Sequence, residues 1–348
     1  MRLLCLAPFL LLFACREAPT ATIDGSENVP PDAAIDAPPD AAPDAGPDFC
    51  NATDPRDVPL EIAPTPEAGE APYLDALATA TTKIRVEIYE MGYGGILDTL
   101  SAKAKAGVTV QILFDQSEKS VNQKYFDQLA AAGAQCKWSD PKFTYQHAKF
   151  FVVDDSVAVL STGNYSYKYS INLERNFVVT DRDNADIADL LVVFDSDWQN
   201  ITPNMSCTRM VISPVNSRQR ILDVINSAQT TLTIESMQFA DTDVRAAVAA
   251  RVAAGVNVRV MIADVGFVSA NAAAATYLKG LGLEPKFIPH LHTKVIVADG
   301  VRAYVGSENL SYTSLNKNRE IGVIATDASA LAPLMTTFET DWAAGTDF

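Results

Sequence analysis

The sequence predicts an α/β fold built from two similar halves, and three observations lead to that prediction. The chain has 348 residues with 48% hydrophobic content, enough for a large buried core. Strand-like and helix-like segments alternate along it, as in layered α/β domains. The alternation occurs twice, since residues 84–91 (IRVEIYEM) match residues 232–239 (LTIESMQF) at an offset of 148. We therefore expect two halves of the same design, residues 59–205 and 206–348.

Both halves show the same predicted elements in the same order. Each opens on a short strand (LEIAP or MVISP), followed by a helical stretch and a buried strand (IRVEIY or LTIESM). A second helix ends at Gly107 or Gly255, because glycine is favoured just after the last helical residue. The next strand reads VTVQILFD or VNVRVMIAD, and the one after it reads HAKFFVVDD or HTKVIVADG. We expect Phe150–Val153 and Val295–Val297 to lie in the core.

A set of five polar residues recurs in these last strands and downstream of them. Histidine, lysine and aspartate repeat at one spacing, with asparagine at plus 17 from the histidine and glutamate at plus 27 or 28. The two copies are His147, Lys149, Asp154, Asn164 and Glu174, and His292, Lys294, Asp299, Asn309 and Glu320. Side chains alternate along a strand with a period of two, so histidine and lysine project to the same side. Each half thus presents an imidazole and an ammonium group together.

The two motifs and their downstream residues resemble the phospholipase D superfamily over essentially all of residues 59–348. The resemblance implies two α-β-α sandwich halves related by a pseudo-twofold axis, with one active site at their junction. It also implies phosphodiester chemistry that needs neither a metal nor another cofactor. Because one chain carries both motifs, we expect a monomer.

The lysines and asparagines of the motifs suit that chemistry. A phosphodiester anion repels nucleophiles, so fixed positive charge and hydrogen-bond donors must surround its oxygens. The two motif lysines would supply the charge. The neutral donors would be Asn164 and Asn309, with Thr162 and Ser307 as secondary phosphate-binding groups.

The two histidines divide the remaining work. In the superfamily the histidine of the first motif is usually the nucleophile, which assigns attack on phosphorus to His147. His292 would then protonate the leaving alcohol and later activate water. Glu174 and Glu320 suit the task of holding an imidazole in one tautomer and stabilising its cation.

Three polar residues near the motifs are expected to stay outside the chemistry. Asp154 and Asp299 each follow the motif lysine by five residues, so we expect them to hold the end of the strand. His290 forms an HxH pair with His292, but no cysteine or carboxylate cluster accompanies it, and the repeat selects His292. We expect no metal site.

The first copy departs from the second downstream of the strand. It reads Ser161-Thr162-Gly163-Asn164 where the second copy reads Gly306-Ser307-Glu308-Asn309. Threonine can still donate a hydrogen bond where the second copy has serine. We therefore expect the activity to survive this change.

The N-terminal 58 residues differ from the rest of the chain. Residues 1–15 read as an export signal, with a positive Arg2 before an apolar run too short to span a bilayer. Leu12–Cys15 resembles a bacterial lipobox, which predicts lipidation of Cys15; an ordinary signal-peptidase cut nearby is the alternative. Residues 16–58 are rich in Pro, Ala and Asp and are expected to form a disordered tether. We expect an exported protein, either an envelope lipoprotein anchored to the outer membrane or a secreted one.

Two of the five cysteines are candidates for a disulfide. Cys50 and Cys207 each lie shortly before the first strand of a half, and an oxidising envelope would allow them to pair. The alternative is free thiols, with Cys136 buried as a small apolar residue.

The folded part of the chain is acidic in its own right. Of the formal charge of −16, Arg2 contributes +1 and residues 16–58 contribute −8, so residues 59–348 carry −9. Binding to the nucleic-acid backbone depends on clustered lysine and arginine, so this charge disfavours a nucleic-acid partner. The local candidates for a basic groove are Lys142, Lys168, Arg175, Lys317 and Arg319.

We therefore expect a hydrolase of phospholipase D type that acts on phospholipids at a membrane surface. It would release phosphatidic acid and an alcohol through a phosphohistidine. A lipid substrate is favoured by tyrosines beside the motifs, although aromatic residues also pack cores: Tyr145, Tyr165, Tyr167, Tyr169 and Tyr312. The alternatives are a secreted metal-independent endonuclease, a phosphatidyltransferase like cardiolipin synthase, and a lipid- or phosphate-binding module without turnover.

Overall fold

The computed structural model of the protein describes residues 51–203, 205 and 207–348, which all belong to one compact unit. The predicted signal peptide, the lipidation site at Cys15 and most of the predicted tether lie outside the described residues. None of the helices in the described part is long and apolar enough to cross a membrane.

The first half contains the predicted strands and helices in the predicted order, with an additional helix and strand ahead of the motif strand that the sequence analysis did not include. Its elements are β1 (Glu61–Thr65), α1 (Ala71–Ala78), β2 (Lys83–Ile88), α2 (Gly95–Lys105), β3 (Thr109–Phe114), α3 (Lys119–Ala131), β4 (Gln135–Trp138), β5 (Lys149–Val153), β6 (Val157–Ser161), a π-helical turn (Tyr167–Ile171), β7 (Asn176–Asp181) and α4 (Asn184–Gln199).

The second half repeats this order. Its elements are β8 (Val211–Ser213), α5 (Ser217–Ser227), β9 (Thr231–Ser236), α6 (Thr242–Ala253), β10 (Asn257–Ala263), α7 (Asn271–Gly280), β11 (Lys286–Ile288), β12 (Lys294–Ala298), β13 (Arg302–Gly306), α8 (Tyr312–Asn316), β14 (Glu320–Ala325), α9 (Ala328–Ala344) and β15 (Thr346–Asp347).

The two halves form sheets of matching topology. Within the described residues the first sheet runs β1-β7-β6-β5-β2-β3-β4, and the second runs β8-β14-β13-β12-β9-β10-β11-β15. The orders correspond strand for strand, with β15 added at one edge. In both sheets the strands before and after the second helix, β2 with β3 and β9 with β10, are parallel. The expected α/β fold with two similar halves is therefore confirmed.

One hydrophobic cluster joins the halves. Phe150 and Leu190 of the first half share it with Val305 and Leu334 of the second. The strands β5 and β12 are buried along their whole length, as predicted. Because the strands that follow the motif histidines contribute to this shared core, packing between the halves holds both motifs in place.

The folded part begins earlier than the sequence indicated. Arg56 is buried, with its Nε 2.6 Å from Asp186 and its Nη1 donating to the Ile324 carbonyl at 2.8 Å. Ala52 packs against the core of the second half. Ala52 and Arg56 therefore belong to the folded part and not to the predicted tether, residues 16–58. The amino-acid composition does not indicate where the folded part begins, because one anchoring arginine does not stand out in a segment rich in proline and aspartate.

The cysteines are only partly covered by the described residues. Cys207 is disulfide-bonded, while its expected partner Cys50 lies outside the described part, so that pairing stays a prediction. Cys136 is a free, half-buried cysteine, and burial raises the pKa of its thiol to about 12.

Candidate active site

Both motif histidines lie just before a strand rather than inside it. The strands β5 and β12 begin at Lys149 and Lys294, so His147 and His292 come two residues earlier. All four side chains are buried, with 1–2% of their surface exposed. Each lysine Nζ donates to the carbonyl of its own motif histidine at 2.7 Å. Each half therefore fixes an ammonium group beside an imidazole.

Backbone hydrogen bonds tie each motif to the opposite half. The His147 N–H donates to the Arg319 carbonyl at 2.8 Å, and the His292 N–H donates to the Arg175 carbonyl at 3.1 Å. Arg319 directly precedes β14, and Arg175 directly precedes β7. The first residue of each of these strands is thus held against the histidine of the other half.

His147 is held by a carboxylate from the second half. Its Nδ1 lies 2.7 Å from Glu320 Oε2, and Ser307 Oγ donates to that same oxygen at 2.6 Å. Burial pushes the pKa of Glu320 upward, but the adjacent His147 and the charge of Lys149 outweigh it, so the net shift is downward. Glu320 is therefore an ionised partner that can orient the imidazole and stabilise its cation.

The matching partner of His292 is Asn176, which corrects the expected pairing of Glu174 with Glu320. The Oδ1 of Asn176 lies 3.0 Å from His292 Nδ1, whereas the nearest oxygen of Glu174 is 3.9 Å from that nitrogen. Asn176 opens β7 as Glu320 opens β14. The repeat contains a usable signal, because its offset has fallen to 144 by the Phe194 and Phe338 segments, and 144 pairs position 176 with position 320.

Glu174 acts one step further out. Its Oε2 accepts from Asn176 Nδ2 at 3.5 Å. Burial raises the pKa of Glu174, opposed by hydrogen bonds from Ser170 and Asn176 and by the charge of Lys294. Glu174 therefore supports the partner of His292 rather than contacting the ring closely.

The second motif reaches the first half directly, since Lys294 Nζ donates to the Thr162 carbonyl at 3.3 Å. Burial, followed by the charges of Lys294, Lys149 and His147, lowers the pKa of His292 well below its usual value. Charges from the first half can act in this way only at short range. The substrate-free His292 ring is therefore neutral at neutral pH.

The motif asparagines also lie in this region. Asn164 is buried, and its Nδ2 donates to Glu90 Oε2 at 3.3 Å. Within the described residues, the buried Oδ1 atoms of Asn164 and Asn309 have no hydrogen-bond partner. Each amide therefore keeps polar capacity for a bound group.

Tyr89 is a site neighbour that the sequence did not single out. Its ring meets the His147 ring edge-on at a centroid distance of 4.5 Å, and Lys149 Nζ lies 4.9 Å from its centroid. Tyr145 packs against Tyr89 in turn. The only sequence signal was the place of Tyr89 at the end of a buried strand. These contacts limit the orientations open to His147.

The chain matches one family description twice. "Cardiolipin synthase, PLD-like domain" covers residues 73–198 and 221–342. The chain belongs to the phospholipase D superfamily. A cardiolipin synthase of Clostridium perfringens (strain 13 / Type A) is 28% identical over 309 residues, which cover 72% of this chain and 63% of the relative. A Mus musculus 5'-3' exonuclease is 46% identical over 57 residues, covering 16% of this chain and 11% of the relative.

Solved structures support the fold of this superfamily member. Phosphatidylserine synthase from Haemophilus influenzae superposes with a TM-score of 0.67 at 13% identity, covering 86% of this chain and 88% of that one. At that identity the likeness shows the fold alone. The matched region spans less than two thirds of the length of the Clostridium perfringens cardiolipin synthases.

The departure of the first phospholipase D motif copy has a packing explanation. A Cβ at Gly163 would lie 2.6 Å from the Asn176 side chain, whereas the second half has room for Glu308 at that position. Conversely, a Cβ at Gly306 would collide with Tyr304 and Glu308, whereas Ser161 hydrogen-bonds Tyr73 at 2.8 Å. The small residue has exchanged positions with the larger one, so both copies remain packed.

The motif aspartates hold the turn at the start of the neighbouring strand. Asp299 accepts from the backbone N–H groups of Thr230 and Thr231 at 2.7 and 2.9 Å. Asp154 accepts from Thr82 and Lys83 at 2.9 and 2.7 Å in the same way. Both follow the last residue of their strand, at the opposite end from the histidines. These contacts favour a structural role for the motif aspartates, which stays a prediction.

Asp299→Asn is expected to destabilise the protein by about 1–2 kcal/mol while leaving turnover unchanged, because it weakens the acceptor of several backbone N–H groups in a solvent-exposed turn away from the site. Although burial raises the pKa of Asp299, hydrogen bonds from Thr231, Thr230 and Gln229 lower it to about 2. The stabilisation is therefore complete above about pH 4, the usual aspartate value, and is lost as pH falls towards 2. Chemical denaturation of both proteins between pH 7 and pH 2 tests this.

The matched control is Glu61→Gln, which removes an exposed carboxylate paired with Arg182. It is expected to change stability by less than about 1 kcal/mol. An Asp299→Asn protein as stable as the control at pH 7 would contradict the structural role.

Two of the expected basic-groove residues are buried in ion pairs between the halves. Arg319 contacts Asp197 at 2.6 Å, and at the equivalent place Arg175 contacts Asp341 at 2.6 Å. Lys142 also pairs with Asp197, at 3.2 Å. These three positions therefore supply no open basic groove. Lys168 and Lys317 instead lie over the rings of neighbouring tyrosines.

The remaining predicted positions lie outside the imidazole pair. His290 is half-buried, and its carbonyl accepts from the Arg175 N–H at 3.0 Å. Tyr165 is buried against Tyr73, while Tyr167, Tyr169 and Tyr312 are exposed. Among the described residues there is no group of three or more His, Cys, Asp or Glu side chains that could hold a metal ion.

Proposed function

We propose that the protein transfers a phosphatidyl group from a phospholipid to an alcohol through a phosphohistidine intermediate. The observation that carries this proposal is that each motif histidine lies beside a buried lysine and is held at Nδ1 by a residue of the opposite half. Transfer rather than hydrolysis is supported by the similarity to cardiolipin synthases, whose name describes a synthetic reaction. The expected hydrolysis is the same chemistry with water as the acceptor, and relatives favour the transfer alternative over it.

In the first step His147 attacks phosphorus. We assign the chemistry to Nε2 of each ring, because Nδ1 is engaged by Glu320 or Asn176. A bond forms between His147 Nε2 and phosphorus, and the bond from phosphorus to the headgroup oxygen breaks. That oxygen takes the proton from His292 Nε2 and leaves as an alcohol. Glu320 balances the positive charge that develops on the attacking ring.

In the second step the acceptor alcohol reverses these events. Its hydroxyl gives its proton to His292, its oxygen attacks phosphorus, and the bond from phosphorus to His147 breaks. Lys149 and Lys294 face the phosphoryl oxygens in both steps. Burial and the two ammonium charges keep His292 deprotonated at rest. The phosphodiester anion offsets these charges, so His292 takes up a proton from solvent at Nε2 when substrate binds and becomes the acid.

A lipid substrate is supported by exposed aromatic residues beside the motifs. Tyr167 and Tyr312 occupy equivalent positions three residues after the motif asparagines, with 45% and 58% of their surface exposed. Tyrosine side chains of this kind suit the boundary between water and lipid. The neighbouring Lys168 and Lys317 would contact anionic headgroups in an otherwise acidic protein. Lipidation at Cys15 would keep the enzyme at a membrane, and it remains part of the proposal.

A product assay tests the proposed function. The purified protein is incubated in chelator with vesicles of phosphatidylglycerol and phosphatidylcholine, with ethanol as an added acceptor, and lipids are identified by mass spectrometry. Cardiolipin or phosphatidylethanol is the expected product, and His147→Ala is the inactive control. Phosphatidic acid as the only lipid product would show that the protein hydrolyses the phospholipid instead of transferring the phosphatidyl group. No lipid product in either the presence or absence of chelator would overturn the proposal.

Nucleic-acid cleavage is the second candidate, favoured by the 57-residue similarity to the mouse exonuclease. The same preparation is therefore incubated with single-stranded oligonucleotides over a series of salt concentrations. Rapid cleavage that falls steeply with salt, together with no change in the lipids, would identify a nuclease instead.

A further inference from the structure

We propose that Asn176 is a positioning residue for His292: its amide oxygen fixes which ring nitrogen carries a proton, and it withholds the negative charge that Glu320 gives to His147. The proposal rests on the proposed function only for the assignment of acid and nucleophile. The structural difference itself concerns the free protein, where it can be measured without a substrate.

The hydrogen bonds of Asn176 set the orientation of its amide. Its Nδ2 donates to the Ser170 carbonyl at 2.9 Å and to Glu174 at 3.5 Å. Its Oδ1 accepts from Thr162 Oγ1 at 2.9 Å and faces His292 Nδ1 at 3.0 Å. Because an amide oxygen can only accept, the proton of neutral His292 is on Nδ1 and the lone pair is on Nε2.

Asn176 and Glu320 occupy the same place in the two halves. The hydroxyl of Thr162 donates to Asn176 as the hydroxyl of Ser307 donates to Glu320. In both halves the next residue along the strand donates its N–H to that hydroxyl, at 2.9 and 3.1 Å. The surroundings correspond, so the difference between the histidine partners is the replacement of a carboxylate by an amide.

The charged groups around His292 determine what the replacement of a carboxylate by an amide does to this ring. On its own strand His292 faces Lys294, at 3.4 Å from Nδ1, and from the first half it faces the charges of Lys149 and His147. The one acidic group facing it, Glu174, is 3.9 Å away, and burial raises the pKa of Glu174. An imidazolium at this position has three positive neighbours and no hydrogen-bonded carboxylate.

This asymmetry suits two different tasks. His147, hydrogen-bonded to a carboxylate, can carry the positive charge of a phosphohistidine. His292, hydrogen-bonded to an amide, takes a proton when an anion enters and releases it readily to the leaving oxygen. The two halves therefore supply a nucleophile and an acid from nearly identical motifs.

Asn176→Asp tests the proposal by giving His292 a carboxylate partner. The titration of His292 in the substrate-free protein is followed by NMR of ¹⁵N-labelled histidine, and single substitutions of the three histidines assign the signals. The wild-type ring is expected to show the Nδ1–H tautomer and to stay neutral near pH 6. The variant is expected to raise the pKa of His292 by at least about one unit, the usual effect of an adjacent opposite charge.

Activity supplies a second readout. The decline of kcat/KM at high pH reports the acid of the free enzyme. In Asn176→Asp this decline is expected to occur at a higher pH, by the same amount as the increase in the pKa of His292. Asn176→Glu, studied in parallel, introduces the side chain that the second half already accommodates. The matched control is Asn172→Asp, which adds the same charge on the exposed end of the preceding turn and should leave the titration of His292 unchanged.

Two results would overturn the proposal. One is an Nε2–H tautomer of His292 in the wild-type protein. The other is a His292 titration that is the same in folded Asn176→Asp or Asn176→Glu as in the wild type. If phospholipids prove not to be substrates while the titration shifts as expected, the proposed function fails and the role of Asn176 stands.

Discussion

His147→Ala is expected to lower phosphodiester turnover by about 10⁴-fold or more and to remove all acid-labile phosphate from the protein, because the attacking nitrogen is gone. His292→Ala should slow lipid turnover too, but for another reason, since it removes the acid and base. With a nitrophenyl phosphodiester, whose leaving group needs no proton, His292→Ala should still release nitrophenol once per site. Stopped-flow absorbance and acid-quench labelling with ³²P-phosphodiester measure both effects.

His290→Gln is the matched control, because it removes the third histidine of the chain and should retain turnover. Circular dichroism verifies that all three variants fold. Covalent phosphate on His147→Ala, attached to His292, would reverse the assignment of nucleophile and acid.

Arg319→Met is expected to destabilise the protein by about 3–5 kcal/mol, because it leaves Asp197 as a buried charge without its principal partner. Arg319 is 1% exposed, contacts both carboxylate oxygens of Asp197 at 2.6 and 3.1 Å, and donates to the Ser213 carbonyl at 2.9 Å. A loss of this size is a large fraction of the stability of an ordinary domain. Urea denaturation followed by tryptophan fluorescence gives the free energy of unfolding.

Arg182→Met provides the comparison, since its ion pair with Glu61 is exposed on both sides and should contribute less than about 1 kcal/mol. The double variant Arg319→Met/Asp197→Leu should recover part of the lost stability, because both charges are then absent. Equal effects of Arg319→Met and Arg182→Met would show that the contact between the halves is not maintained by this ion pair.

The sequence predicted much of the fold because its signals are local and occur twice. Strand periodicity, the glycines after helices and the repeated segments led to the correct order of the predicted elements along each half, although α3 with β4 and α7 with β11 were missed. The buried residues of β5 and β12 were predictable for the same reason, since a continuous apolar run in a strand indicates burial on both faces. The anchoring of Arg56 was not, because its partners are far away in the chain.

The partner of His292 escaped prediction because of one additional residue. From the motif asparagine to the partner of the opposite histidine there are twelve positions in the first half, Asn164 to Asn176, and eleven in the second, Asn309 to Glu320. The π-helical turn Tyr167–Ile171 replaces α8 there, and a π turn accommodates one more residue than an α turn. Counting 28 positions from His147, the distance from His292 to Glu320, ends at Arg175; the neighbouring carboxylate Glu174 was therefore selected, two positions before Asn176.

The backbone bonds from His147 to Arg319 and from His292 to Arg175 also bear on how activity returns during refolding. Each half has its own sheet and its own hydrophobic cluster, so the strand pairs of a sheet form within one half. Neither half can complete an imidazole and its partner, because each ring and its acceptor come from opposite halves. Recovery of turnover after dilution from urea should therefore follow the docking of the halves and lag behind the recovery of the circular dichroism signal. Enzymatic activity would then report the rate of the final step of folding.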